Sequence, residues 1–440
     1  MKCSSFRPEV IPVKKIISLL ISIPLSCLCC LSAFAETNEL VVRSRPMLHT
    51  LVEIKAWGAG AEQAIEEAFA EMERVNSLLN NYDPQSEVSA INRQAGDGPV
   101  RIGEETMEAL ALAVKYGEIT GGALDITIGP LLRLWGFGKD DVGLDGDEPD
   151  PASLAQARAL VDYHALELSR RRSWMGTARR TARLAKQGMW IDVGSFSKGY
   201  VADRAVALLK KRRIKNALVI AGGTVCALGA RPDGSPWQVG VQHPRDPGRL
   251  LTAVALKDCS ISTSGDYENF YLKNGKRRAH IIDPRNGLPV SHLQTVSVIA
   301  PDGATSDLLD TPLFVLGPEK GMEVVRGLTG IEVLMITEGG QAVYTEGWPQ
   351  KPSRIHADRL IVINAQVMII FILAVSVSLF NARFPVAQYY LTPYVLIFAW
   401  FSKSVNHCVQ SCFSDLYFLI AAMASLSRCS TSSDMDWAYR

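Results

Sequence analysis

Apolar residues at positions 65, 68, 69, 72, 75, 78 and 79 recur at the three-and-four spacing of one helix face, so Ala64 to Leu79 reads as an amphipathic helix. Glu104 to Tyr116 repeats the pattern, and Lys198 to Arg212 forms another helix. That helix feeds the unbroken apolar run Ala217 to Ala221, which ends in Gly222-Gly223 as a buried strand meeting a turn does. Alternation in WQVGVQ (237–242) and TVSVIA (295–300) predicts further strands, with helices from about Asp307 and Glu319. The body is therefore α+β, a mixed α/β arrangement without internal repeat. The acidic, Pro/Gly-rich stretch DDVGLDGDEPDP (140–151) reads as a loop between two subdomains.

The two ends follow different patterns. Lys14 and Lys15 precede an apolar run from Ile16 to Leu31, and Ala33-Phe34-Ala35 supplies the small residues of a cleavage site before Glu36. Residues 1–35 thus read as a signal peptide, and 36–350 as an exported domain. Cys27, Cys29 and Cys30 raise a lipoprotein reading, but Pro24 stands where a branched aliphatic residue is expected. At the other end, Leu360 to Phe380 is 21 residues without a charge between Arg359 and Arg383, long enough to cross a bilayer as a helix. Asn364 and Gln366 weaken that reading, and the next apolar run, Val386 to Phe401, is interrupted by Pro393. Residues 360–440 read as a hydrophobic, membrane-associated extension, with a packed helical tail as the alternative.

Composition narrows the classes. The chain has 440 residues, 48% of them hydrophobic, and a formal net charge of +1. No strong field of either sign advertises a nucleic-acid partner. The basic run Arg170 to Lys186 reads as a solvated loop or hairpin face. Of nine cysteines only Cys226 and Cys259 lie in the body, either bridged after export or buried as small hydrophobes, and no CxxC pair suggests zinc.

Candidate chemistry falls in four clusters. GGALDITIGPLLRLWGFG (121–138) combines backbone-exposing glycines, the Asp125 carboxylate and the aromatic rings of Trp135 and Phe137. It suits a nucleotide or a flavin, or else a glycine- and tryptophan-lined core. IDVGSFSKGYVAD (191–203) brings Ser195 and Lys198 to a helix N-terminus, where phosphate oxygens bind, although neither a Walker loop nor GxGxxG is present. A helix cap is the alternative. In STSGDYENFYLKNGKRRAHIIDPRNGLPV (262–290), a hydroxyl-rich turn precedes His280 and Asp283, which flank Ile281-Ile282 and can bring an imidazole and a carboxylate to one cleft. In TSDLLDTPLFVLG (305–317), Asp307 and Thr311 share a helix face with Asp310 adjacent. These hard oxygen donors suit magnesium, and an aspartate stabilising a helix dipole is the competing account.

In order and spacing, ALDITIGPLLRLWGFG, GSFSKGYVAD, ISTSGDYENFY, HIIDPRNGLPV and SDLLDTPLFVLGPEKG resemble the FAD:protein FMN transferase family, the ApbE type, from about Pro46 to about Trp348. The resemblance implies a flavin-transferase fold and a periplasmic, magnesium-dependent enzyme. Such an enzyme cleaves the FAD pyrophosphate, moves FMN to a threonine hydroxyl of a target protein and releases AMP. It implies flavin contacts at Leu48, Tyr82, Ala123, Leu124, Asp125, Asp192, Lys198 and Ile282, and metal ligands at Asp307 and Thr311 with an oxygen near Ser195 and Asp310 beside them. It also implies roles for His280, Asp283 and Lys198 around the scissile phosphates. Acceptors in the family are subunits of membrane redox complexes such as sodium-pumping quinone reductases (Nqr) and Rnf-type complexes, so an exported, periplasmic enzyme beside the inner membrane is expected.

Three departures stand out. Leu48-His49-Thr50 replaces the usual Met-Gly-Thr turn and puts a ring where a glycine is expected near the flavin edge, Thr224 follows the double glycine, and Ser197 precedes Lys198-Gly199. Two other activities remain open: a periplasmic FAD-binding protein without transferase activity, and an FAD pyrophosphatase giving FMN and AMP.

Overall fold

The computed structural model describes residues 39–137, 148–172, 178–273, 276–349 and 361–362. The expected signal peptide, most of the acidic loop and nearly all of the expected hydrophobic extension lie outside these residues. Among the described residues no helix is long and apolar enough to cross a membrane.

Eight antiparallel strands make the central sheet, in the order β1 (Leu40–Met47), β2 (Thr50–Trp57), β6 (Asn216–Ala221), β7 (Thr224–Leu228), β10 (Ser260–Gly265), β13 (Leu293–Ala300), β14 (Glu332–Thr337) and β15 (Ala342–Tyr344). The run in β6 is apolar throughout because both faces are covered. Val219 joins the main core under the helices, whereas Leu218 and Ile220 join a second cluster with Trp237, Val239 and Val254 from β8 (Trp237–His243) and β9 (Asp246–Leu256). The same alternation separates the two cysteines. Cys226 packs into the main core and Cys259 against the second cluster, so they lie on opposite sides of the sheet and both are free, which excludes the bridge.

Three helices cover the main face: α1 (Ala61–Leu79), α6 (Ser197–Lys211) and α7 (Gly303–Arg326). In α1 the buried positions Ile65, Ala68, Phe69, Met72, Val75 and Leu79 repeat the stripe read from the sequence, each large side chain stabilising the fold by roughly 1.5–3 kcal/mol on burial. The expected helices near Asp307 and Glu319 are one element with a break at Gly317 (φ 75°, ψ −178°). Its N-cap is Asp302, which accepts from Thr305 N–H at 2.8 Å. Asp307 therefore lies beyond the first turn, and the helix-dipole account of it fails.

The main core takes Leu110 and Ile126 from before the acidic loop and Leu166 and Ala205 from after it, so that loop does not divide the core into two. Between them stand α2 (Glu87–Arg93), α3 (Glu104–Ile119), α4 (Gly129–Leu134) and α5 (Pro151–Arg158), with β3 (Val100–Arg101), β4 (Leu166–Arg172) and β5 (Ala178–Leu184) forming a small sheet. The basic run is the β4–β5 hairpin, as the solvated-face reading expects. Arg170 and Arg180 pair with Glu104, and Arg183 with Glu167 at 3.0 Å. A hairpin of β11 (Phe270–Lys273) and β12 (Lys276–Ala279) precedes His280, and Ile361–Val362 pair in parallel with Val239–Gly240 of β8.

Candidate active site

A cleft of about 1270 Å³ opens at one end of the central sheet, where the β1–β2 turn, the β6–β7 turn, the end of β10 and the start of α6 converge. Leu48, Tyr82, Ala123, Leu124, Asp125, Asp192, Ser195, Lys198, His280, Ile282, Asp307, Asp310 and Thr311 all line it. Six stretches far apart in the chain thus meet in one place. Asp283 is not brought there. Arg285 holds its carboxylate with Nε at 2.8 Å and Nη2 at 2.9 Å, and the carbonyl of Asp283 accepts from Gly287 N–H at 2.7 Å. The residue builds the turn that follows His280, and its carboxylate stands apart from the residues that line the cleft.

The floor of the cleft is acidic and buried. Asp307 and Asp310 are 3% and 2% exposed, on one face of α7. Asp307 Oδ2 accepts from Gly199 N–H at 2.8 Å. Ser262 Oγ donates to Asp310 Oδ2 at 2.7 Å and lies 3.2 Å from Asp307 Oδ1. Thr311 Oγ1 lies 3.1 Å from Asp310 Oδ1 and 3.1 Å from Ser264 Oγ. Burial raises the Asp307 carboxyl above the usual range against the opposing charge of Lys198. Burial, then repulsion from Asp307, pushes Asp310 well above it. Two carboxylates in this state favour a proton or a cation between them. Among the described residues no three His, Cys, Asp or Glu side chains form a metal cage. The donor set is two carboxylates and hydroxyls.

Lys198 is the cleft's cation. Its Nζ donates to the Gly194 carbonyl at 3.0 Å. Burial works against its charge, yet Asp307, Glu268, Asp310 and Asp192 outweigh burial and raise its pKa. Glu268 received no role from the sequence. It stands in the same cleft, where burial and then Asp307 push its pKa up to about 6 despite Lys198. His280 is neutral. Burial lowers its pKa to about 4, and its Nδ1 lies 3.1 Å from the Asn269 carbonyl, which can only accept. The proton therefore sits on Nδ1, and Nε2 keeps its lone pair.

The opposite wall carries Tyr82 and Asp192. Asp192 Oδ2 accepts from Asn81 Nδ2 at 3.0 Å and from the Tyr82 hydroxyl at 3.4 Å, while Oδ1 accepts from Gly194 N–H at 2.8 Å. Asn81, another residue the sequence did not single out, is buried and ties the end of α1 to this loop.

The ApbE family model matches residues 48–335 of the chain. The chain belongs to the ApbE family. A Klebsiella pneumoniae FAD:protein FMN transferase is 34% identical over 298 residues, covering 66% of this chain and 83% of that protein. The Haemophilus influenzae protein of the same name is 32% identical over 340 residues, covering 74% and 95%. Among solved structures, the ApbE protein of Thermotoga maritima aligns with a TM-score of 0.62 at 30% identity over 70% of this chain and 97% of that one. The flavin transferase ApbE of Vibrio cholerae gives 0.61 at 29% identity over 70% and 96%.

Two of the departures from the ApbE pattern have clear places. Thr224 Oγ1 lies 3.0 Å from Ser262 Oγ and so joins the hydroxyl network around Asp307 and Asp310. His49 stands at the cleft beside Tyr82. Of the two rings expected as walls, Phe137 lines the cleft, but Trp135 does not. Trp135 is buried, donating from Nε1 to the Gly287 carbonyl at 2.8 Å, because an indole in a core needs an acceptor and the 283–287 turn offers one.

Asp125 lines the ApbE cleft with both oxygens already engaged. Oδ1 accepts from Thr127 N–H at 2.8 Å and Thr127 Oγ1 at 2.6 Å, and Oδ2 accepts from Tyr163 N–H at 3.0 Å. Its carboxylate organises the 123–128 loop. Asp125→Ala is expected to leave these buried donors unpaired and to destabilise the fold by about 2–4 kcal/mol. Thermal unfolding of the variant checks this, and a melt at the wild-type temperature would contradict it.

Proposed function

We propose that this ApbE-family protein is an FAD:protein FMN transferase that moves FMN from FAD to a threonine hydroxyl of an exported or membrane-bound acceptor and releases AMP, with magnesium. The observation that carries the reading is the joining of two features in one cleft. One is a buried cluster of Asp307, Asp310 and Lys198 suited to a pyrophosphate and a hard cation, and the other is a wall containing Tyr82 suited to a flat ring.

Asp307, Asp310 and Thr311, with an oxygen of Ser195, would hold the magnesium ion. Magnesium accepts few protein oxygens and completes its shell with phosphate and water, which fits a site with two carboxylates and no cage. When bound, the ion supplies charge neutralisation at the pyrophosphate. The ammonium of Lys198 offsets negative charge on the same group, and most of the acceleration comes from positioning and electrostatics. In the transfer itself, the threonine oxygen bonds to the FMN phosphorus, the phosphoanhydride bond to AMP breaks, and AMP leaves with the electron pair. The threonine proton goes to a base, for which the neutral His280 offers the lone pair of Nε2.

The export reading of residues 1–35 and the apolar stretch 360–440 support a periplasmic protein beside the inner membrane. Subunits of membrane redox complexes of the Nqr or Rnf kind are the acceptors this location suits. The deciding experiment incubates the protein with FAD, magnesium and an acceptor domain carrying the target threonine, and follows AMP release and acceptor mass together. Gain of one FMN per acceptor with matching AMP, both lost on chelation, is the expected result. AMP without acceptor gain would instead identify a pyrophosphatase, and bound, uncleaved FAD a binding protein.

A further inference from the structure

We propose that His49 is a specificity residue for the ring system of the substrate: with Tyr82 it forms a right-angled aromatic corner at the cleft that receives a flavin by face and edge. The inference rests on the transferase reading and deepens it.

The β1–β2 hairpin closes on two residues, Leu48 and His49, with Met47 paired to Thr50. Both have positive φ, 55° and 54°. A two-residue hairpin of this hand demands left-handed backbone at each position, and Asn-Gly meets the demand most easily. Leu and His meet it against the crowding of Cβ with the following carbonyl. Glycine at position 49 would keep the turn and remove that strain, so the turn itself gains nothing from the imidazole. A strained residue kept at a cleft points to a role outside the fold.

The surroundings of the ring specify that role. Its centroid lies 5.4 Å from that of Tyr82, with the planes at 76°. Tyr82 is 50% exposed, an unusual state for a large aromatic side chain, and its hydroxyl is anchored on Asp192. Burial, and then the negative charge of Asp192, push the phenol pKa up to about 12, so the ring stays neutral. A flat ring laid on one member of a perpendicular pair meets the other at its edge. Offset stacking and edge-to-face contact are the two arrangements that aromatic quadrupoles favour. Among the described residues His49 has no hydrogen-bond partner, which leaves its ring nitrogens for a polar rim. A flavin has both features, a wide apolar face and a rim of carbonyl and ring-nitrogen groups.

The test titrates the full-length protein with FAD and, separately, with ADP, which carries the adenosine and pyrophosphate without the flavin, in the absence of acceptor. His49→Ala is expected to weaken FAD about three- to tenfold and to leave ADP within about twofold. His49→Phe, which keeps a ring without nitrogens, should fall between. His49→Gly should raise the melting temperature while it weakens FAD, opposite signs that a purely structural residue does not give. Parallel loss of FAD and ADP, or unchanged FAD affinity in His49→Ala, overturns the inference and leaves the transferase reading standing. A wild-type protein that does not bind FAD overturns both.

Discussion

Asp307→Asn should slow FMN transfer by about a thousandfold or more while FAD still binds. The substitution keeps shape and an acceptor for Gly199 N–H, now 2.8 Å from Oδ2, but removes one negative charge from the pair it forms with Asp310. Binding of the flavin and adenosine ends does not depend on that charge, whereas a cation at the pyrophosphate does. The stability change should have the opposite sign. Burial raises the folded pKa of Asp307 above its unfolded value, so ionisation opposes folding as pH rises above the ordinary carboxylate range. An uncharged amide should therefore melt higher than the wild type at pH 7 and show a weaker fall in stability between mildly acidic and neutral pH. Single-turnover AMP release, FAD titration and melting curves at two pH values separate these effects. A variant that transfers FMN at the wild-type rate would remove Asp307 from the proposed metal site, and Asp310→Asn in parallel keeps the test informative if the first variant fails to fold.

The parts of this site that the residues alone made legible, apart from the family resemblance, are those fixed by local pattern. The spacing of Asp307 and Thr311 puts them on one helix face wherever the helix begins, so the misplaced start, four residues earlier at Gly303, did no harm. Roles decided by partners distant in the chain were not legible. His280 and Asp283 are three residues apart. Arg285 captures the second within its own turn while the Asn269 carbonyl orients the first, and nothing in the spacing distinguishes the two outcomes. Trp135 and Phe137 look equivalent as rings, yet only the indole has an N–H to satisfy, and the Gly287 carbonyl draws it into the core. Glu268 gave no periodic signal, being one acid in a polar turn, and Asn81 is defined only by its contacts to a loop 111 residues away. The β1–β2 turn, placed only by the family resemblance, was illegible in its own residues for another reason. Leu-His carries none of the Asn-Gly signature that its backbone calls for.

The largest expected effect on stability comes from the contact that assembles the acidic floor of the cleft, Gly199→Ala. A Cβ at 199 would lie 2.1 Å from the Gly303 carbonyl oxygen, 2.6 Å from its carbon and 2.7 Å from Asp307 Cβ. The first two are backbone atoms at the start of α7, so no rotamer change relieves the clash and the helices must separate. Overpacking of this kind costs about 3 kcal/mol or more, a fall in melting temperature of roughly 5 °C or more for a domain this size. Moving α7 also disturbs two polar contacts that depend on the close crossing. Gly199 N–H loses Asp307 Oδ2, and the Asp203 carboxylate, which accepts from Gly303 and Ala304 N–H at 2.8 Å each, loses the end of the helix it caps. Transfer activity should therefore fall even at temperatures where the variant stays folded. Gly98→Ala is the matched control, because its φ is not in the left-handed region and a Cβ there meets nothing within 4 Å, so it should change stability by less than about 0.5 kcal/mol. If the two variants melted together, α6 and α7 would not meet at Gly199, and the geometry that places Asp307 beside Lys198 would have to be redrawn.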